Sequence, residues 1–200
     1  MFMKEFDDYK KYRWFYTSSG KLVIGGKNAA QNDFILKKIR SLKKEFIVMH
    51  TKDPGSPFSI IISDTKKVSK SDIEESTVFT ACFSQAWKKG NKKTLVHFFN
   101  SNQIYKAKGM KPGTWGVLGN IKQMSATLSL VLTKQNSILR AVPERSVKNK
   151  NEVLGTICPG KNPKEDEVQK IYKDLEGAFT QQDISSAIPA GGLLFSKKKQ

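Results

Sequence analysis

The sequence predicts an α+β protein: a largely antiparallel sheet packed with two main helices, plus a small C-terminal β-α-α unit. Three observations predict it. Short β-rich runs recur between clusters of Gly, Pro, Asn and Ser. Two longer stretches carry apolar residues near helical spacing. The chain holds no internal repeat and no low-complexity tract that would point to a solenoid or a disordered arm.

Residues 1–12 read as a short N-terminal helix, and the aromatic run RWFYT (13–17) as a strand. Ser18-Ser19-Gly20-Lys21 is a hairpin turn, and Leu22-Val23-Ile24 the return strand. Gly25-Gly26 lets the backbone turn sharply into a helix over 29–44, whose Phe34, Ile35, Ile39 and Leu42 fall near helical spacing. Strands follow at 46–50 and 58–62, separated by the turn Asp53-Pro54-Gly55-Ser56-Pro57. Ser71-Asp72-Ile73-Glu74 has the form of a capping box. It opens a helix to about residue 89, stopped by Gly90. Strands are expected at 94–99, 103–108 and 125–133, with a tight loop at Gly109, Pro112, Gly113, Gly116 and Gly119. A Lys- and Asn-rich linker (144–152) leads to a strand at 153–158 and a turn at Pro159-Gly160. Helices at 165–175 and 180–188 complete the chain, the second stopped by Pro189. The expected division is a main domain over 1–143 and the small unit over 144–200.

The composition narrows the function. The 200 residues carry 35 Lys and Arg against 18 Asp and Glu, a net charge of +17. That excess points to a polyanion, nucleic acid first and an anionic membrane surface second. With 38% hydrophobic residues the chain can build a core, which excludes wholesale disorder. Two Cys and two His leave little for a metal site or a disulfide scaffold, so no cofactor and no metal are expected. No apolar run is long enough to insert in a membrane, and MFMKEFDDYKKYR lacks the apolar centre of a secretory leader, so a cytoplasmic location is expected.

The charge is also uneven. Between Glu75 and Glu144 there is no acidic residue, while Lys88, Lys89, Lys92, Lys93, Lys106, Lys108, Lys111, Lys122, Lys134 and Arg140 fall in that interval. A solvated face normally mixes signs, so this stretch reads as an electrostatic footprint unless acids from the ends fold back on it. The tail 197–199 reads as a frayed basic end. Within the acid-free interval Trp115 sits in the glycine loop between Lys111 and Lys122, an arrangement suited to stacking a base while the charges hold the backbone. The alternative is a loop tryptophan folded onto the sheet. Lys27 stands where a helix start offers free N–H groups, although the spacing is not that of a phosphate-binding P-loop. His50 lies near Asp53, which permits a base–carboxylate pair, but no nucleophile motif accompanies it.

Several segments resemble one family. YRWFYTSSGKLVIGGKNAAQND (12–33), HTKDPGSP (50–57), TACFSQAW (80–87), NQIYKAKG (102–109) and PGTWGVLGN (112–120) are similar, in order and spacing, to the NFACT-R domain. VPERSV (142–147), ICPG (157–160) and AIPAGG (187–192) resemble more loosely the tail that follows this domain in archaeal members. The resemblance implies a presumed RNA-binding module of ribosome quality control, here as a stand-alone NFACT-R protein without the other regions of the full-length relatives. Two departures stand out. Lys52 replaces an acidic residue after the histidine, and the glycine loop runs Gly119-Asn120-Ile121-Lys122 instead of ending in two basic residues.

The reading is therefore a non-enzymatic, cytoplasmic RNA-binding protein acting on tRNA, rRNA or the large ribosomal subunit. The expected RNA contacts are Lys106, Lys108, Lys111, Trp115 and Lys122, then Arg13, Lys27, His50 and Lys52, with Lys88, Lys89, Lys92 and Lys93. The alternatives are a protein-interaction or DNA-binding adaptor of the same fold and, behind these, an RNA-processing enzyme using His50 and Asp53.

Overall fold

The structure is a computed structural model that describes residues 3–42 and 44–198. Residues 1–2 and 43, at or within the expected first two helices, and Lys199 of the basic tail lie outside the described residues. The fold is α+β with antiparallel sheets. Instead of one N-terminal helix, two single 3-10 turns, Met3–Phe6 and Tyr9–Lys11, deliver Phe6, Tyr9 and Tyr12 into the core. Tyr9 meets Trp14 edge-on at 5.0 Å between ring centroids.

The main sheet has six strands: β1 (Arg13–Tyr16), β2 (Leu22–Gly25), β3 (Ile47–Thr51), β4 (Ser59–Ile61), β5 (Lys93–Asn100) and, after two short strands, β8 (Lys122–Thr127). The spatial order is β1-β2-β4-β3-β5-β8. The short strands β6 (Ile104–Tyr105) and β7 (Gly116–Val117) pair with each other. Helices α1 (Ala29–Ser41), α2 (Lys70–Cys82) and α3 (Gln85–Lys88) complete this layer.

The central strands are apolar at successive positions because both faces of the sheet are covered. Trp14, Ile24, Val48 and Ile60 pack with Ile35, Leu36 and Ile39 of α1. Phe15, Val23, Met49 and Ile61 pack on the other side with Phe79 and Cys82 of α2. A second sheet backs that other face: β9 (Leu130–Gln135), β10 (Ile138–Val142), β11 (Gly155–Asn162) and β12 (Leu193–Lys197), in the order β10-β9-β11-β12. Two helices, α4 (Lys164–Asp174) and α5 (Gln181–Ala187), lie between β11 and β12 in the chain.

Five expectations are corrected. The capping box of α2 uses Ser69 and Asp72, not Ser71 and Glu74. Ser69 Oγ accepts from the Asp72 N–H at 3.1 Å and Asp72 Oδ2 accepts from the Ser69 N–H at 2.8 Å. Glu74 instead accepts from Arg145 Nη1 at 2.6 Å. The helix also stops at Cys82, because Ser84 caps the short α3 by accepting from the Ala86 N–H. The expected strand 103–108 shrinks to two residues, Ile104 and Tyr105. The run 125–133 is two strands in two sheets: the chain leaves β8, crosses at Leu128 and Ser129, and enters β9. Finally, Pro159 and Gly160 sit within β11 at a shift of register, not in a turn.

Three strands lie outside those expected: β7, β10 and β12. β10 follows a two-residue turn at Asn136 and Ser137, both with positive φ, a hairpin made without glycine. β12 makes the C-terminal segment β-α-α-β. Because β11 pairs with β9, the second sheet spans the 143/144 position.

The two sheets are stitched at the free edge of β1. Gln135 Oε1 accepts from the Tyr16 N–H at 2.7 Å, and Gln135 Nε2 donates to the Tyr16 carbonyl at 2.9 Å. Arg140 Nε donates to the Trp14 carbonyl at 3.1 Å. Side chains of β9 and β10 thus close an edge that would otherwise present unpaired backbone groups.

At the other end of β1, buried acids hold the hairpin turn on α2. Thr17 Oγ1 and Ser19 Oγ donate to Asp72 Oδ1, each at 2.6 Å. Ser18 donates to Glu75 through its N–H at 2.8 Å and its hydroxyl at 2.5 Å. Burial alone would raise the Asp72 carboxyl; hydrogen bonds from Ser19, Thr17 and Ser69 outweigh it and hold the group at about 2. Burial raises Glu75 instead. A depressed carboxylate contributes stability that is present above its unfolded value of 3.8 and is lost as pH falls toward about 2. Chemical denaturation of wild type and Asp72→Asn should therefore show a stability gap of about 2–4 kcal/mol at pH 7, the cost of breaking a buried charged network. The gap should narrow from pH 4 downward; a gap constant with pH would contradict the role of the ionised form.

Candidate nucleic-acid interface

The β2–α1 junction, the β3–β4 turn, α3 and the glycine loop converge on one cavity of about 550 Å³. That volume lies in the range of small-ligand sites, about 300–1,000 Å³. Close backbone approach builds its walls. A Cβ on Gly26 would lie 2.2 Å from Asn32 Oδ1, so only glycine lets the chain after β2 pass against α1. Neither Gly25 nor Gly26 has a positive φ, so their role here is close approach rather than the sharp turn expected. At Gly113, with φ +77°, a Cβ would lie 2.8 Å from that of Ala29, which brings the glycine loop onto the first turn of α1.

Asp33 fixes that loop. Its Oδ1 accepts from Trp115 Nε1 at 2.7 Å and from Lys106 Nζ at 3.2 Å. Lys106 also donates to the carbonyls of Lys111 at 2.8 Å and Thr114 at 2.9 Å. Burial pushes the Asp33 carboxyl up, and hydrogen bonds from the Gly113 backbone, Trp115 and Lys106 bring it below the usual carboxylate range.

Lys27 is set at the start of α1 by its own N–H, which donates to Gln31 Oε1 at 2.9 Å, while Asn28 Oδ1 caps the helix through the Gln31 N–H. Arg13 places its guanidinium 4.6 Å from the centre of the Phe83 ring. His50 and His97 face each other across β3 and β5. Their side chains therefore share one face of the sheet. His50 Nδ1 lies 2.7 Å from the Thr51 carbonyl, which can only accept. The proton of neutral His50 therefore sits on Nδ1, and Nε2 is left as an acceptor. Burial is the main cause lowering the His50 pKa, with His97 adding to it, which favours this neutral form. The ring stacks on Phe58 at 4.5 Å, and no hydrogen bond to Asp53 is found among the described residues.

Of the sequence candidates, Arg13, Lys27, His50, Lys52, Lys88 and Trp115 line this one cavity. None of its described lining residues is an Asp or Glu. The other candidates fall elsewhere. Lys106 is an internal tie to Asp33, among the described residues the one place where an acid from outside the acid-free interval folds back onto it as an ion pair. Trp115 is only 8% exposed and hydrogen-bonded, so it forms a wall and not a free stacking platform. Lys89, Lys92, Lys93, Lys108, Lys111 and Lys122 are exposed outside the cavity lining. Sequence reasoning did not place His97 or Phe83, which line the cavity, among the expected contacts, nor Arg140, which lies outside the lining and binds the Trp14 carbonyl. Arg140 had a signal: it is the one charged residue in the otherwise apolar run ILRAV.

Residues 11–119 match the family model of the NFACT protein RNA binding domain. The archaeal Rqc2 homolog aRqcH of Methanocaldococcus jannaschii is 28% identical over 98% of this chain. The ribosome quality control complex subunit NEMF homolog of Drosophila melanogaster is 26% identical over 88% of it. The chain spans 30% of the length of the first and 18% of the second. Among solved structures, the C-terminal part of the fibronectin/fibrinogen-binding protein of Streptococcus suis superposes with a TM-score of 0.51 at 25% identity, over 58% of this chain and 45% of that one. With the domain match covering more than half of its length, the chain belongs to the NFACT RNA-binding domain family.

Proposed function

We propose that this chain binds RNA through the cavity, capturing a single-stranded stretch of tRNA or rRNA on the ribosome or its large subunit, in the cytoplasm. The observation that carries the reading is a recess walled by Arg13, Lys27, Lys52 and Lys88 with no carboxylate among its described lining residues. Phosphates would meet these four side chains, while His50 Nε2 and His97 offer hydrogen bonds to a base edge or a 2′-hydroxyl. The recess has room for the end or a loop of a single strand and not for the width of a duplex. Lys52, where the family pattern has an acid, adds a phosphate contact. The exposed lysines 89, 92, 93, 108, 111 and 122 supply long-range attraction. The mode is binding without turnover, supported by a His50 that stacks on Phe58 and does not pair with Asp53.

Four phosphate contacts on a single strand predict affinity falling about 50-fold between 50 and 200 mM salt. Fluorescence anisotropy with a short unstructured RNA measures this, and the RNA should be recovered intact. Lys52→Ala and Lys88→Ala should each flatten the log–log slope by about 0.7. A slope near zero, or no binding at low salt, would sink the proposal.

Asp33 gives a second test whose sign is diagnostic. Removing a negative charge beside a basic site should tighten RNA binding if only the net field matters. If Asp33 holds the loop, Asp33→Ala should weaken binding about threefold or more, because Trp115 and Lys106 lose their anchor. Sedimentation of cell extract through sucrose, with and without nuclease, addresses the partner. Co-migration with large subunits that nuclease releases is expected; a pool that stays free or follows DNA would favour the adaptor reading.

A further inference from the structure

Arg140 and Lys164 lie outside the matched domain and do not line the cavity, yet each is tied beside it: Arg140 Nε to the carbonyl of Trp14, the residue after Arg13, and Lys164 Nζ, at 3.5 Å, to the carbonyl of Ile188, two residues before Ala190 in the cavity wall. Arg140 is 7% exposed and sits with its guanidinium 4.6 Å from the centre of the Trp14 ring. Its Nε is taken by the Trp14 carbonyl, and its terminal nitrogens make no hydrogen bond among the described residues. The Arg13 guanidinium likewise has Phe83 as its ring contact and no hydrogen-bond acceptor among those residues. Lys164 Nζ is held at 2.8 Å by the Ser185 carbonyl of α5. No carboxylate among the described residues forms an ion pair with Arg13, Lys27, Arg140 or Lys164.

Arg13 is close enough to Lys27, Arg140 and Lys164 to oppose their charge, while Glu165 beside Lys164 works the other way there. Burial lowers the pKa of each cation, bringing Arg140 down to about 10, and repulsion from Arg13 adds to the effect on Lys27, Arg140 and Lys164. A folded protein that leaves guanidinium groups desolvated and uncompensated is poised for an anion. Arginine forks match the oxygens of a phosphate.

The geometry also bears on which phosphate. A backbone phosphodiester carries one charge and needs an exit for the strand on both sides. The cavity is walled at Ala190 by the C-terminal segment. A Cβ on the next residue, Gly191, would lie 3.1 Å from Lys88 Cα, so that wall is packed hard against α3. A terminal phosphomonoester needs one exit and carries nearly two charges at neutral pH.

Resting on the RNA reading of the cavity, we infer that Arg13 and Lys27 hold the terminal phosphate of an RNA strand, with Arg140 and Lys164 behind them supplying the remaining charge. The C-terminal segment is then part of the binding site, because it provides Lys164 and the wall at Ala190.

The test uses the full chain and one eight-nucleotide RNA, labelled internally, in three forms: 5′-phosphate, 3′-phosphate, and hydroxyl at both ends. Anisotropy at fixed salt should show one phosphorylated form binding about tenfold tighter than the hydroxyl form. Arg13→Gln should erase that preference, and Lys164→Gln, which leaves the cavity lining intact, should reduce it about threefold. Should Arg13→Gln fail to fold, Lys27→Gln and Lys164→Gln carry the same comparison. Equal affinity for all three forms overturns the end-recognition proposal while leaving RNA binding in place. So does a preference that survives the Lys27 and Lys164 substitutions. No binding of any form overturns both readings.

Discussion

The functional surface depends on one carboxylate, that of Asp33. The 106–115 loop has little core of its own, and its glycines gain nothing from side-chain packing. What holds it is a single half-buried acceptor shared by the Trp115 indole, the Lys106 ammonium and the Gly113 backbone. A hydrogen bond to an ionised acceptor is about twice as strong as a neutral one. Three of them on one group can order a segment that hydrophobic burial alone would leave loose. The acid sits on α1, whose start is set by Asn28 and Gln31, so the helix, the loop and the cavity wall share one frame.

A second constraint works against stability. Burying Arg13 and Arg140 without a carboxylate partner is unfavourable, since the desolvation of two guanidinium groups is only partly offset. The fold offsets part of this with aromatic faces, Phe83 under Arg13 and Trp14 under Arg140, and with the Trp14 carbonyl. The same Arg140 closes the edge of β1, so the residue that ties the sheets together also charges the site. By contrast, the buried acids Asp72 and Glu75 are spent on the turn after β1, where hydroxyls and backbone N–H groups satisfy them.

The order of strands and helices over 13–100 was legible because each element is bounded by a local signal: Gly20, Gly26, the Asp53–Pro57 cluster, Gly90. Errors came where a longer-range partner decides. Ser125–Thr133 looks continuous because alternation persists, but Leu128 turns toward Lys92 and the chain changes sheet. The β9–β10 turn uses Asn136 and Ser137 at positive φ, which carry a weaker signal than glycine. Ser69 and Ser71 are both sound caps on propensity; the hydrogen bonds of Asp72 to Ser69 and the Thr17–Ser19 turn select the first.

By itself the sequence determined the charge, its exclusion of acids from 76–143, the α+β class and the family motifs, since all of these are properties of composition and near neighbours. It could not sort the lysines. Lys106 and Lys108 are two residues apart in one motif, yet one is an internal tie and the other an exposed charge, because only the first reaches Asp33 seventy-three positions away. Tertiary structure likewise turned Trp115 from a stacking ring into a wall. It also brought Arg140 to the carbonyl of Trp14, beside Arg13, across more than a hundred residues of chain. Whether a cation serves an RNA or the fold depends on whether an acceptor lies within about 3 Å of it, and that distance is set by packing, not by position in the chain.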